Sequence, residues 1–83
     1  MSDSDPRSIE RQVRAVIGRT FGLPENEWGG DLRMGNPAGW DSMGHMTLIT
    51  SLEEECGWSC PTHQIADLTD VRSIVDAIRG SKN

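Results

Sequence analysis

One short stretch of the chain holds the side chains best suited to chemistry. Residues 38–45 read Ala-Gly-Trp-Asp-Ser-Met-Gly-His, so Ser42 follows an aspartate and precedes a histidine by three residues. A serine in this position has three possible uses: it can cap a helix, act as a hydrolase nucleophile, or carry a covalently attached group. The rest of the sequence discriminates among these uses.

The nucleophile hypothesis has weak support. The window from Trp40 to Gly44 nearly fits the G-x-S-x-G pattern, but Trp40 stands in place of the first glycine. That pattern also requires a preceding strand and a surrounding sheet, whereas the residues before it are rich in glycine and proline. His45 would share a helix face with Ser42, yet nothing in the sequence supplies an oxyanion hole. We therefore do not expect an enzyme.

Cysteine and histidine residues are too few and too dispersed for a redox or metal site. Cys56 and Cys60 are four residues apart, which fits neither a C-x-x-C redox motif nor a zinc motif. His45 and His63 have no cluster of further ligands around them, so no metal site is expected. The sequence predicts two buried, reduced thiols, with Cys56 packed in the core.

The elements that must position the serine are helical. Apolar residues recur at helical spacing in residues 6–20, 41–55 and 71–80, and a shorter helix is expected at 64–68. The expected apolar positions are Ile9, Val13, Val16, Ile17, Met43, Met46, Leu48, Ile49, Leu52, Val71, Ile74, Val75 and Ile78. These elements predict an all-α fold, a four-helix bundle with three longer helices and one short helix.

The ends of the helices have their own signals. Asp5 and Asp70 precede helical stretches as N-caps, and Asp41 or Ser42 does the same for the second helix. Gly57 and Gly80 follow helical stretches and are expected to end them.

A long loop joins the first two helices. Residues 21–40 are rich in glycine and proline, and a loop of this length must be pinned by its scattered apolar side chains. We expect residues 24–38 to be mobile. The chain is predicted to form one domain over residues 1–83, with tails at 1–5 and 81–83.

Charge and hydropathy limit the possible partners. The formal net charge is −5, and between residues 25 and 70 nine acidic residues are accompanied by only one basic residue, Arg33. Nucleic acid is not expected as a partner, because phosphate binding needs clustered Lys and Arg. No apolar run approaches the ~20 residues of a membrane span, and the N-terminus lacks the features of a signal peptide. We expect a cytoplasmic protein that binds no membrane. The acidic central segment either attracts basic partner surfaces or only keeps the protein soluble.

The stretch around the serine also resembles a known motif. Residues Gly39–Met46, GWDSMGHM, are similar to the phosphopantetheine attachment motif of acyl carrier proteins, in which Asp-Ser-Leu opens the second helix. Leu52–Glu55 matches the LEEE run of that family, Pro61 opens its short third helix, and Asp67–Val71 matches the entry to its fourth. The resemblance covers nearly the whole chain. It implies a right-handed four-helix bundle in which Ser42 carries 4′-phosphopantetheine from coenzyme A through a phosphodiester.

The resemblance implies a carrier function. Acyl or aminoacyl groups would be held as thioesters on the arm of Ser42 and presented to other enzymes. Asp41 matches the residue that helps to engage the phosphopantetheinyl transferase, and Trp40 would either shield the root of the arm or pack the long loop. The implied partners are this transferase, an acyl- or aminoacyl-activating enzyme and downstream synthases, with the carrier acting as a monomer. The residues expected to dock them are Trp40, Met43, Met46, Glu53 and Glu54.

The sequence departs from the family pattern at three positions. Met43 replaces the usual leucine, and Gly44 and Thr47 stand where many fatty-acid carriers have acids. These departures favour a stand-alone carrier of a specialised pathway, polyketide or nonribosomal, over the alternative of a fatty-acid carrier. A further alternative is an unmodified helical adapter, in which Asp41 and Ser42 only cap the helix.

Overall fold

Helix α1, Pro6–Phe21, lies at the centre of the fold in the computed structural model, which describes residues 6–81. It packs against both other long helices, α2 (Ser42–Cys56) and α3 (Val71–Ser81). The fourth, short helix is a 3-10 helix at Thr62–Asp67. The all-α fold with three longer helices and one short helix is therefore confirmed. The predicted apolar faces of α1 and α3 are buried at every expected position: Ile9, Val13, Val16, Ile17, Val71, Ile74, Val75 and Ile78.

Helix α2 buries a different face from the one that a repeat of three residues predicts. The side chains of Met43 and Met46, two of the expected apolar positions, are 83% and 53% exposed and so lie outside the core. The buried residues are His45, Leu48, Ile49, Leu52 and Cys56. At 3.6 residues per turn, a strict repeat of three drifts around the helix by about 60° per step. Steps of three and four keep to one stripe instead, and that stripe includes a histidine.

Four of the predicted helix ends lie within the described residues, and they differ in outcome. Asp41, of the two residues predicted to cap α2, is the cap. Gly57 ends α2 in the left-handed conformation at φ 61°, as expected for a glycine stop. Asp70 caps α3: its Oδ1 accepts a hydrogen bond from the Ser73 amide at 2.7 Å, which lowers the pKa of Asp70. Gly80 does not end α3, because it has no positive φ and the helix continues through it. The predicted cap Asp5 lies outside the described residues.

The first half of the loop between α1 and α2 is held against helix α1. This half contains one 3-10 turn, Glu25–Glu27. The indole of Trp28 lies over Gly18, where it would overlap any added Cβ atom. The guanidinium of Arg14 donates hydrogen bonds to the carbonyls of Trp28 at 2.8 Å and Gly30 at 2.7 Å. An arginine and a glycine of α1 thus fix the path of this half.

The second half of the loop is held by backbone hydrogen bonds. Residues 33–36 form a tight turn closed by two backbone bonds. The amide of Met34 donates to the carbonyl of Thr69 at 2.8 Å, and the amide of Gly35 donates to that of Trp40, also at 2.8 Å. These contacts tie the loop to the entry of α3 and to the residue two places before Ser42. The mobility of residues 24–38 stays a prediction, which slow amide exchange throughout the loop would contradict.

Candidate functional site

The hydroxyl of Ser42 lies at the N-terminal end of α2. Ser42 is the first residue of the helix and is exposed, and its side chain makes no hydrogen bond to any residue in the range 6–81. The helix is capped instead by Asp41, whose Oδ1 accepts a hydrogen bond from the Gly44 amide at 2.8 Å. Since one side chain suffices as an N-cap, the Ser42 oxygen is left for other chemistry.

The end of the helix at which Ser42 lies favours an anion. The first amides of a helix have no acceptor within it, and they give this end a partial positive charge. Asp41 accepts a hydrogen bond from the amide of Gly44 only, which leaves the amides of Ser42 and Met43 for another acceptor. A phosphate bonded to the Ser42 oxygen would lie beside these amides.

The residue before Asp41 anchors this end of the helix. The side chain of Trp40 is completely buried. Its ring is stacked with that of Phe21, from the last turn of α1, at a centroid distance of 5.9 Å, and with that of His45 at 6.1 Å. Of the two roles expected for Trp40, packing of the loop is the one that agrees with this burial. A docking role does not agree with it, because the side chain has no surface to offer a partner.

His45 joins the attachment end of α2 to the short 3-10 helix. It is 4% exposed, and its Nδ1 lies 2.9 Å from the indole nitrogen of Trp40. An indole N–H can only donate, so Nδ1 is the acceptor, and the Nε2–H donates to the carbonyl of Ile65 at 2.7 Å. Every buried polar side-chain atom among the described residues has a partner. Leaving one of these groups unpaired costs about 1–3 kcal/mol.

The same hydrogen bonds exclude the hydrolase hypothesis for His45. A general base needs a ring nitrogen free to accept the serine proton. Nδ1 of His45 accepts from Trp40, and Nε2 carries the proton that is donated to Ile65. The imidazole is therefore fully used within the bundle and has no nitrogen left for Ser42.

Gly44 allows the loop to fold back onto the first turn of α2. A Cβ atom at this position would overlap the carbonyl oxygen of Gly39 and would lie 2.9 Å from the Phe21 ring. Glycine is therefore required here by close packing, although it is a poor helix former. The approach brings residues 39–41 against the helix and fixes the direction in which Ser42 leaves the surface.

The sequence matches the family described as "phosphopantetheine attachment site" over residues 11–78, which is most of the chain. The chain belongs to this family of carrier domains. Such domains hold 4′-phosphopantetheine covalently and carry acyl groups on it, and they do not catalyse reactions themselves. They interact with a phosphopantetheinyl transferase and with synthases or activating enzymes.

The carrier domain exposes a stripe of α2 beside Ser42. We define the outer face of α2 as the exposed residues Met43, Met46, Thr47, Thr50 and Glu54. Single exposed apolar side chains are ordinary. Two large ones at positions i and i+3, next to an unpaired hydroxyl, form instead a continuous apolar patch.

The two glutamates expected to dock partners occupy different settings. Glu54 is exposed and belongs to the outer face. Glu53 is half-buried, and its Oε2 accepts a hydrogen bond from the Cys60 amide at 2.9 Å. Its carboxylate therefore holds the segment that follows α2. This structural role explains Glu53 without a docking role.

The remaining candidate residues give no second site in the described part of the carrier domain. Cys56 is buried, as expected, whereas Cys60 is only half-buried, so its predicted burial is wrong, and neither cysteine forms a disulfide bond. Burial, and then the charge of Glu53, raise the pKa of the Cys60 thiol, which lowers its reactivity. Residues 6–81 contain no group of three potential metal ligands. Within the same range, no helix combines the length and hydropathy needed to cross a membrane.

Sequence reasoning missed His45 as a part of the site. Its signal was its spacing: positions 45, 48, 49 and 52 form one buried stripe of α2. The hydrogen bond from Trp40 has no such signal, because the two rings meet only when the loop closes over the first turn of the helix.

Proposed function

We propose that Ser42 is the residue to which 4′-phosphopantetheine is attached. The observation that carries the proposal is the exposed, unpaired hydroxyl of Ser42 at the N-terminus of a helix that Asp41 already caps. In this reaction the Ser42 oxygen bonds to the β-phosphorus of coenzyme A, the bond to the leaving adenosine bisphosphate breaks, and the transferase takes the serine proton. The amides of Ser42 and Met43 then face the new phosphodiester.

Asp41 has two roles in this proposal. One carboxylate oxygen holds the Gly44 amide and keeps the first turn of α2 in place. The second oxygen is left beside Ser42 for the transferase to engage, and the exposure of Asp41 supports this role. Charge and capping are separable, because asparagine caps helices as well as aspartate does.

The attached group supplies a thiol on a flexible arm, and this thiol holds the acyl cargo as a thioester. The side chains of the carrier domain orient the arm and bind partners. Met43 and Met46 lie on the same side of α2 as Ser42 and are well exposed. The flexible thioether side chain of methionine adapts to several partner surfaces. Together with Glu54, they are the proposed docking residues, and as a monomer the chain would present them to each partner in turn.

We further propose that the cargo belongs to a specialised pathway, polyketide or nonribosomal, in preference to fatty-acid synthesis. The first turns of α2 support this assignment, because they present Met43, Met46 and Thr47 to solvent and no acid. A partner that recognises an acidic helix start would find only Asp41 there, so electrostatic steering toward this end of the helix is weak.

Intact mass tests the attachment. The protein is incubated with coenzyme A and a broad-specificity phosphopantetheinyl transferase, beside Ser42→Ala and Ser59→Ala variants. Ser59 is an exposed serine outside any helix, so its variant serves as the matched control. We expect a gain of one phosphopantetheine group in the wild type and the control, and none in Ser42→Ala. A wild type that stays unmodified while a known carrier is modified alongside it would favour the unmodified adapter.

A further inference from the structure

The seam between α2 and the short 3-10 helix is the nearest place where an apolar chain tethered at Ser42 could be buried. Apolar groups gain free energy when they leave water, so a long acyl chain enters a bundle wherever helices can part. In this protein a hydrogen bond spans that seam, from His45 Nε2–H to the carbonyl of Ile65 at 2.7 Å. The bond ties α2 to the 3-10 helix Thr62–Asp67, one turn below the attachment residue.

The space behind this bond is already filled. The indole of Trp40 is completely buried, lies against the imidazole of His45 and donates its N–H to it. Leu48 and Leu68, from the two sides of the seam, are also buried. The interior below Ser42 is therefore packed with aromatic and aliphatic groups, and the two polar side chains in it are paired.

Entry of an acyl chain would break a connected pair of hydrogen bonds. Parting His45 from Ile65 leaves the buried Nε2–H of His45 without its acceptor, and moving the indole of Trp40 leaves a second N–H unpaired. In a purely aliphatic seam, helices part without this loss. These two hydrogen bonds thus oppose burial of an acyl chain in a way that the apolar packing alone does not.

Two clefts of the described surface lie elsewhere, and charged or polar side chains contribute to the lining of both. A cleft of about 390 Å³ between α1 and α3 is lined by charged side chains that include Glu10, Arg14, Arg72 and Arg79. Another, of about 420 Å³, lies beside the 3-10 helix and is lined by residues such as Ser59, Gln64 and Asp76. Neither is lined by Ser42 or by any other residue of α2.

We infer that this carrier holds its cargo outside the bundle, because the Trp40–His45–Ile65 bridge closes the seam, and that its cargo is therefore short or polar, such as a small acyl or an aminoacyl group. The inference rests on the proposed attachment at Ser42 and specifies the substrate class of that site. Short and polar groups lose little free energy by staying in water, whereas a long alkyl chain left on the surface would promote association between protein molecules.

A chain-length series tests the inference on the wild-type protein. Acetyl-, octanoyl- and palmitoyl-coenzyme A are used with the transferase to load the protein, and intact mass confirms each product. Amide and indole NMR spectra and the midpoint of thermal unfolding are then compared with those of the unacylated, phosphopantetheine-bearing form. We expect an unfolding midpoint that does not change with chain length, and unchanged signals for the Trp40 indole N–H and the Ile65 amide.

The opposite result would overturn the inference. A midpoint that rises from acetyl to palmitoyl, with shifted signals of Trp40, Ile65 and Leu68, would mean that the chain enters the seam. The mass measurement keeps this outcome apart from a failure of the proposed function, since a protein that is never loaded refutes attachment itself and gives no acylated spectrum to compare.

A variant of the bridge sharpens the test. His45→Ala removes the bridge and opens space in the seam, so its octanoyl form should show shifted Leu68 and Ile65 signals and a higher midpoint than its own unacylated form. His63→Ala, at an exposed position of the same 3-10 helix, is the matched control and should behave as the wild type does. If both variants respond to octanoyl loading alike, the bridge is not what excludes the chain. Should His45→Ala fail to fold, the wild-type series alone decides.

Discussion

A polar contact between side chains at the N-terminal end of α2 is buried, whereas the ion pair at its C-terminal end lies at the surface. The N-terminal end has Trp40 and His45, both inside the bundle and hydrogen-bonded to each other. At the other end, Arg19 pairs with the exposed carboxylate of Glu55, and the side chain of Gln12 donates to the carbonyl of Glu55 at 3.0 Å.

The difference shows where rigidity is needed. In the proposed function a transferase must find the Ser42 oxygen in a fixed place, which the buried Trp40–His45 pair provides while the surface around Ser42 stays open. Exposed ion pairs contribute little to stability, so the polar contacts at the C-terminal end should contribute less than the buried pair does. Substitutions at the N-terminal end should therefore have the larger effects.

The largest effect is expected at Trp40. Trp40→Ala should lose about 3–5 kcal/mol of the free energy of unfolding, because it empties a completely buried site. For a domain with a total of about 5–15 kcal/mol, such a loss can abolish folding, so Trp40→Phe gives the finer measurement. It keeps a ring but leaves Nδ1 of His45 unpaired, for a loss of about 1–3 kcal/mol.

Trp58→Phe is the matched control for Trp40→Phe in urea unfolding. Trp58 is also largely buried, beyond the C-terminal end of α2, but its indole N–H makes no hydrogen bond to a described residue. Because no fully buried side-chain nitrogen among these residues lacks a partner, the Trp58 nitrogen reaches solvent. We expect its substitution to lower the free energy of unfolding by less than that of Trp40. Equal losses would show that ring size, and not the bond to His45, anchors the helix start.

The next largest effect is expected at Gly44. Gly44→Ala should be destabilising by about 1–3 kcal/mol, because the added methyl group overlaps the Gly39 carbonyl. Intrinsic helix propensity predicts the opposite sign, a gain of up to about 1 kcal/mol. Gly80→Ala, in α3 with nothing within 4 Å of the added atom, is the control and should be neutral or stabilising. A stabilised Gly44→Ala would disprove the close approach.

Substitution of Asp41 separates capping from charge. Asp41→Ala should lower the free energy of unfolding by about 1 kcal/mol, because the Gly44 amide loses its cap. Asp41→Asn should keep the stability, since asparagine also caps helices, yet slow the modification of Ser42 by removing the carboxylate. Thermal unfolding and the initial rate of phosphopantetheine transfer are measured on both. If Asp41→Asn is modified at the wild-type rate, the charge has no part in engaging the transferase.

The cap of α3 gives a pH dependence. The hydrogen bond from the Ser73 amide lowers the pKa of Asp70 below its ordinary value of 3.8. Its contribution is therefore complete above that value and is lost as the pH falls through the lowered pKa of the folded state. Asp70→Asn should be less sensitive to acid than the wild type when unfolding is followed by circular dichroism between neutral and strongly acidic pH. Parallel curves of unfolding against pH for the two proteins would show that protonation of Asp70 does not cause the loss of stability in acid.

The smallest effect is expected at the C-terminal end of α2. Glu55→Gln should change the free energy of unfolding by about 0–1 kcal/mol, since both partners of the Arg19–Glu55 pair are largely exposed. The difference from the wild type should shrink further at high salt, where exposed charges are screened. A loss as large as that of Trp40→Phe would reverse the comparison between the two ends.

Local patterns in the sequence predict the parts of this fold that local physics decides. The apolar stripes of α1 and α3, the cap Asp70 and the stop Gly57 follow from helical spacing and end signals, and all are observed. The serine of the candidate site was predicted from its neighbours and from the family resemblance. The structure adds why it is accessible: Asp41 takes the capping role.

Contacts between distant residues could not be predicted in the same way. Whether Met43 or His45 turns inward depends on which stripe of α2 meets α1, and both choices fit a periodic apolar pattern. The path of the loop is set by the Met34–Thr69 hydrogen bond and by Arg14, which donates to the carbonyl of Gly30. Such bonds join residues far apart in the chain, and composition shows only that the loop is rich in glycine and proline.

The alternation of roles along α2 has a consequence for the evolution of partner choice. Inward-facing His45 and Leu48 maintain the fold, while Met43, Met46 and Thr47, interleaved with them, face solvent. If these exposed residues dock partners as proposed, single substitutions change recognition and leave the free energy of folding almost unchanged. A carrier built in this way acquires a new set of partner enzymes when a few surface side chains are exchanged.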